Sequence, residues 1–203
     1  MLAAWLYFDE TPEQIPNYSR IQFAPAQTML EQIDLEFEVI PSEIHEDFSL
    51  NLPPSDFVEY YAQEKAKGIA NSYPDKWVIG ADTIVVLGSH ILGKPKDGKD
   101  SFQMLKRLSG NTHQVITGVS IQNINQDISN SFHELTNVSF NSLSDEVINY
   151  YIDTYNPFDK AGSYGIQDWF SVCVNRIDGC FYNVMGFPLS SFYSHFIDLL
   201  KTE

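Results

Sequence analysis

The chain has 203 residues, 43% hydrophobic and 14% aromatic, with 12 Lys and Arg against 27 Asp and Glu for a formal charge of −15. That apolar share supports a folded core and excludes wholesale disorder and collagen-like or coiled-coil classes, while two cysteines exclude a disulfide scaffold. A pI near 4.5 argues against a nucleic-acid coat, because phosphate backbones demand a basic face. The acidity is uneven. Up to Gln63 the sole Lys or Arg is Arg20, against twelve Asp and Glu.

Met1–Phe8 is apolar but short, lacks a basic flank and runs into Asp9-Glu10, so it reads as a poor signal peptide. No apolar run approaches the ~20 residues that span a bilayer. A cytoplasmic soluble protein with no membrane partner is expected. Leu35–Val39 alternates apolar and acidic residues, the pattern of a half-buried strand. A helix is predicted from Ser55-Asp56 to about Asn71, with Ser55 as N-cap. Trp77–Leu87 is β-rich and interrupted by Gly80-Ala81-Asp82-Thr83. Lys99–Leu108 predicts an amphipathic helix stopped at Gly110. Val115–Ile124 and Ser131–Phe140 read as paired strands about Asn125-Gln126-Asp127. Ser144–Tyr155 reads as a helix ended by Pro157. Val172–Ile177 and Cys180–Val184 are expected to form a hairpin about Asp178-Gly179, and a last helix follows Pro188. The sum is an α/β protein: a mixed, twisted sheet with flanking helices.

Three clusters could carry chemistry. Asp82 is acidic in the middle of an apolar strand, where an unpaired carboxylate would cost several kcal/mol. It is therefore salt-bridged for structure, bound to a metal, or facing a cleft; the tetrapeptide alone does not choose. Gly93-Lys94-Pro95 fixes a lysine that could face a phosphate, although a lysine in a turn is usually solvated. Asp159–Gln167 combines a charge pair, two glycines and a carboxamide, and Gln167 can both donate and accept against a base edge. Glu46 and Lys65 are singly ordinary surface charges. With Asp82 and Lys94 they supply what triphosphate cleavage requires: oxygen ligands for a hard cation, a base, and lysines to offset phosphate charge. Cys173, Cys180 and the five scattered His fit no zinc spacing, and no GxxxxGK[ST] loop is present.

Taken in order, these motifs resemble a known family. Glu64-Lys65-Ala66, Gly80–Thr83, Gly93-Lys94-Pro95, Leu108-Ser109-Gly110 with His113, Thr117-Gly118-Val119, Asp159–Gln167 and Gly186-Phe187-Pro188-Leu189 look like the Maf family of nucleoside triphosphate pyrophosphatases. The likeness covers roughly Met29 to Leu189. It implies the fold shared with inosine triphosphatases, two lobes around a central cleft, and cleavage of a triphosphate to monophosphate and pyrophosphate with Mg or Mn. By the same resemblance Asp82 is the catalytic base, Thr83 and Gln167 set specificity, and Glu46, Lys65, Lys94 and Asp82 line the metal and phosphate site. The Tyr164-Gly165-Ile166-Gln167 loop resembles the branch acting on dTTP and UTP. The partner implied is a small nucleotide; a homodimer stays open.

One part departs. The family opens with a strand and Ser-x-Ser-Pro-Arg-Arg, which grips the triphosphate, whereas this chain has Ser19-Arg20-Ile21-Gln22-Phe23-Ala24-Pro25-Ala26-Gln27-Thr28. Synonymous codons for those ten residues, read one base over, spell Leu-Ala-Ser-Asn-Ser-Pro-Arg-Arg-Lys-Gln. Two origins fit: residues 1–28 translated out of frame ahead of a Maf-like domain at 29–203, or plain divergence. Either way a missing or distorted first strand is expected. So are two functional outcomes, an active pyrophosphatase or an impaired one that keeps the fold.

Overall fold

The computed structural model of the chain describes residues 6–8, 29–33, 35, 37–42 and 44–201. Twelve elements organise them: β1 (Leu6–Phe8), β2 (Glu38–Val39), α1 (Pro54–Ala70), β3 (Trp77–Leu87), β4 (His90–Leu92), α2 (Gly98–Leu108), β5 (Thr112–Asn123), β6 (Ile128–Phe140), α3 (Asp145–Tyr155), β7 (Val174–Asp178), α4 (Phe181–Val184) and α5 (Leu189–Leu200). Two 3-10 turns, Ala161–Ser163 and Trp169–Cys173, lie between α3 and β7. The sheet runs β2-β1-β3-β5-β6-β7, with β4 beside β3. The α/β class is as expected. The strand directions are not mixed: every pairing among the described residues is antiparallel.

Most elements follow the hydrophobic periodicity, and four expectations need correction. Among the described residues, the strand read at Leu35–Val39 is limited to Glu38–Val39. Trp77–Leu87 is one unbroken strand through Gly80–Thr83, held along its length by β5, where Asp82 lies opposite Gly118. The cap of α1 is Pro53, not Ser55, which sits in the first turn. Pro54 explains the shift, since proline lacks an N–H and its fixed φ suits the first helical position. The stretch read as a second hairpin strand, Cys180–Val184, instead contains a helical turn, α4. Side-chain bonds draw it under the sheet. Thr136 Oγ1 accepts from Cys180 N at 3.0 Å, and buried Asn183 donates to Val115 O and Thr136 Oγ1. Strand β7 therefore pairs with β6. As for the first strand, β1 pairs antiparallel with Trp77–Ile79; the other residues of 1–28 lie outside the described residues.

The two faces of β3 are used differently, because alternate residues point to opposite sides. Val78, Asp82, Ile84 and Val86 meet α1, whose buried stripe is Phe57, Val58, Tyr61, Ala62, Lys65, Ala66 and Ala70. The other face carries two apolar clusters. One gathers Trp77, Ile79, Phe187, Phe192 and Phe196 beneath α5; the other gathers Val85, Leu105, Ile148, Tyr151, Tyr164 and Phe170 beneath α2 and α3. A polar belt crosses between them, where Thr83 meets Thr117 at 2.9 Å and Gly186 O at 3.3 Å.

Gly118 lets α1 reach the sheet. A Cβ there would stand 2.3 Å from the backbone carbonyl of Val58. Overpacking a tight core typically costs about 1–3 kcal/mol, and here the neighbour is main chain that cannot rotate away. Gly118→Ala is expected to destabilise the fold by about 3 kcal/mol or more, read as a lowered unfolding midpoint in urea; an unchanged midpoint would refute the close approach.

Candidate active site

Lys65, Asp82 and Glu46 form one buried centre, built from three separate parts of the chain. Lys65 lies on the apolar stripe of α1 and is 2% exposed. Its ammonium donates to Asp82 Oδ1 at 2.6 Å and to Glu46 Oε1 at 2.7 Å. Asp82 is fully buried and Glu46 is 18% exposed at its side chain, so the group opens toward solvent on the Glu46 side. Asp82 Oδ2 is buried and accepts no hydrogen bond among the described residues. The two oxygens of one carboxylate thus differ: one is held by lysine and the other is not.

The electrostatics follow from burial. Loss of hydration pushes the Asp82 carboxyl up to about 6; the Lys65 ammonium pulls the other way, and the nearby Glu46 carboxylate adds to the rise. Burial opposes the charge on Lys65, but Asp82 and Glu46 together hold its ammonium above the usual lysine range. Two carboxylates repelling one another across a single ammonium make a site that gains from further positive charge.

Glu46 is delivered by the segment before α1. Asp47 N donates to Tyr61 Oη at 2.6 Å, and the Phe48 ring stacks on Phe57 with centroids 5.3 Å apart. The same ring packs over Gly93, one residue before Lys94. Lys94 is exposed. Partial desolvation lowers its ammonium from the usual value, against the pull of Asp159. Gly162 N donates to Gly93 O at 3.0 Å, which ties the late loop to the Lys94 turn. Gln167 is exposed on that loop.

Of the residues singled out in the sequence, the structure joins Glu46, Lys65 and Asp82 directly, and couples Lys94 to the Gln167 loop. Thr83 lies on the opposite face of β3 from Asp82, in the polar belt with Thr117 and Gly186 O. The sequence reading places Lys65 in the site with Asp82 and Glu46, but does not foresee its burial. The missed signal was its spacing: it falls in phase with Phe57, Tyr61 and Ala62, so it is a lysine on a buried face. Tyr61, Phe48 and Tyr151, which position the site's loops, carried no sequence signal beyond that of core aromatics.

His113 supports the late loop from below. Its Nε2 hydrogen-bonds the Tyr164 hydroxyl at 2.8 Å, and its ring packs edge-on against Phe140. Burial pushes its imidazole down to about 4. The unfolded chain takes up a proton near 6.5, whereas the folded protein resists until about 4. Stability is therefore full above about 6.5 and is lost as the pH falls toward 4, by up to about 3 kcal/mol. Asp82, raised, contributes with the opposite sign, so the measurement is a difference. The stability gap between the parent and His113→Gln is expected to shrink steadily as pH drops from 7 to 4.5; a pH-independent gap would contradict it.

An antiparallel α/β fold carrying a buried carboxylate–lysine centre, with a further lysine and a glycine-bearing carboxamide loop alongside, defines a protein built to hold a phosphorylated ligand. Residues 26–199 match the Maf-like protein family, so the chain belongs to it. It is 48% identical over 162 residues to a dTTP/UTP pyrophosphatase of Thermosipho africanus, covering 80% of this chain and 82% of that protein. It is 43% identical over 167 residues to the dTTP/UTP pyrophosphatase of Syntrophomonas wolfei, covering 82% and 88%. With that of Acetivibrio thermocellus the identity is 41% over 180 residues, covering 85% and 88%.

Proposed function

We propose that the chain is a nucleoside triphosphate pyrophosphatase that hydrolyses dTTP- and UTP-type nucleotides to the monophosphate and pyrophosphate with a divalent metal. The observation that carries this is Asp82: Lys65 holds its Oδ1, and Oδ2 stays buried and free of any donor among the described residues. That oxygen takes the proton of a water whose oxygen bonds to the α-phosphorus. The bond from that phosphorus to the bridging oxygen breaks, and pyrophosphate leaves. Lys94, exposed on the turn tied to the late loop, offsets charge on the departing phosphates, and Gln167 meets the O4 and N3–H edge of uracil or thymine. Thr83 belongs to specificity through Gly186 O and Thr117, from the far side of the strand.

The residues suit Mg or Mn. Both donors, Asp82 and Glu46, are hard carboxylate oxygens, and no cluster of three or more His, Cys, Asp or Glu occurs among the described residues. Such a cation characteristically keeps waters and takes substrate phosphates beside one or two carboxylates. When bound it neutralises phosphate charge. No helix among the described residues is long and apolar enough to cross a membrane; acting on free nucleotides, the protein belongs in the cytoplasm, with no nucleic-acid partner, alone or as a homodimer. Release of pyrophosphate from dTTP or UTP with Mg or Mn, and its loss with a chelator, tests the reading; release from no triphosphate by a chain with an intact opening signature would refute it.

For residues 1–28 the same proposal takes the out-of-frame origin. The family match leaves residues 1–25 outside it, and the missing arginines are the family's grip on the triphosphate. The chain as written is then the impaired member. The gene's own codons test this directly: if they do not spell Ser-Pro-Arg-Arg one base over, the origin is divergence.

A further inference from the structure

We propose that Tyr151 is a positioning residue for nucleobase selection, its hydroxyl closing a clasp around Gln167. The inference rests on the reading of Gln167 above and adds the part that holds it. Tyr151 is fully buried in α3. Its Oη accepts from Gly165 N at 3.0 Å and donates to Asp168 Oδ2 at 2.9 Å. One oxygen thus joins both ends of the tetrapeptide Gly165–Asp168, with Ile166 buried and Gln167 exposed inside the ring so formed. Asp168 is anchored in turn, since its Oδ1 accepts from Phe170 N at 2.9 Å. The fit is close: a Cβ on Gly165 would lie 2.6 Å from Asp168 Oδ2.

The loop before Gly165 does not depend on this hydroxyl. Gly162 is held by Gly93 O, Ser163 by Ser101, and Tyr164 by His113. Loss of the Tyr151 hydroxyl therefore acts on residues 165–168 and little else. Its ring stays packed on Phe170 and Tyr155, at centroid distances of 4.7 and 5.3 Å. The phenol also stays protonated at any working pH, because burial and the Asp168 carboxylate both push its ionisation up.

A clasp matters here because of what a carboxamide can read. Uracil offers an acceptor at O4 and a donor at N3, while cytosine offers the reverse, and a glutamine free to turn over satisfies either. Discrimination requires the amide to be held at one height and orientation against the base. Tying Gly165 N and the Asp168 side chain to one hydroxyl restrains the loop on both sides of Gln167.

The experiment compares Tyr151→Phe, Gln167→Ala and the double variant with the parent. Calorimetry with non-hydrolysable α,β-methylene analogues gives the UTP-over-CTP preference, and amide exchange in the nucleotide-free protein gives the local effect. Tyr151→Phe is expected to cut the preference about tenfold, the worth of a hydrogen bond to a charged partner, and to cut it no further when Gln167 is already Ala. Exchange is expected to accelerate about tenfold or more at residues 165–168 and to stay unchanged at 162–164 and in β5. Equal weakening of both nucleotides with the preference intact would overturn the inference, as would unchanged exchange at 165–168. Where neither analogue binds, the exchange result decides alone. A preference insensitive to Gln167→Ala removes the reading of Gln167 and this inference with it. Failure of Tyr151→Phe alone leaves that reading standing.

Discussion

Asp82→Asn is expected to lower kcat/KM for UTP by at least about 100-fold, the lower bound for losing a positioned general base, while the protein stays folded. The fold survives because the substitution leaves Lys65 its second partner, Glu46 Oε1 at 2.7 Å. The new amide oxygen can still accept from the ammonium in place of Oδ1. A buried ammonium stripped of every partner would be far costlier, at about 3–5 kcal/mol. Burial also disfavours the native carboxylate, so removing its charge offsets part of what the amide loses. The remaining cost is a buried amide N–H in place of a carboxylate oxygen, worth up to about 1–3 kcal/mol where it finds no acceptor. Pyrophosphate release measured beside a thermal melt separates the two effects. Activity within a few-fold of the parent would end the assignment of Asp82 as base. Where the unaltered chain is silent, the comparison belongs in a chain with residues 19–28 rebuilt to the family signature.

That asymmetry between local chemistry and long-range placement also explains what the sequence could and could not reveal. β3, β5, β6 and the longer helices were legible because periodicity records which face of an element is buried, a property of neighbouring residues. Asp82 stood out for the same reason, as a charge in an apolar run. Cys180–Val184 misled because its fate depends on Thr136 and Asn183, bonds that reach 44 and 47 residues back along the chain. The pairing of Lys65 with Glu46 across 19 residues was foreseen as a shared chemistry and not as a contact. Thr83 shows the limit most clearly. Adjacent residues in a strand face opposite ways, so a motif contiguous in sequence is split in space, and Asp82 and Thr83 serve different sides of the sheet.

Rebuilding residues 19–28 as Leu-Ala-Ser-Asn-Ser-Pro-Arg-Arg-Lys-Gln is expected to raise kcat/KM for UTP or dTTP by about 100-fold or more. The two arginines, Pro25→Arg and Ala26→Arg, each add charge-assisted contacts to phosphate worth about 1.5–3 kcal/mol. Lys65 is already tied to two carboxylates, which leaves the exposed Lys94 to face the phosphates. On a chain of formal charge −15, a triphosphate needs a local field that these two lysines supply only in part. The gain should therefore fall with added salt less steeply than a surface effect would, because bidentate arginine contacts are short and directional. Pro25→Lys with Ala26→Lys, equal in charge but without the planar fork, should recover only a fraction. If the rebuilt chain is no faster than the original, the missing signature is not what limits this protein, and its opening segment is a divergence that the enzyme tolerates.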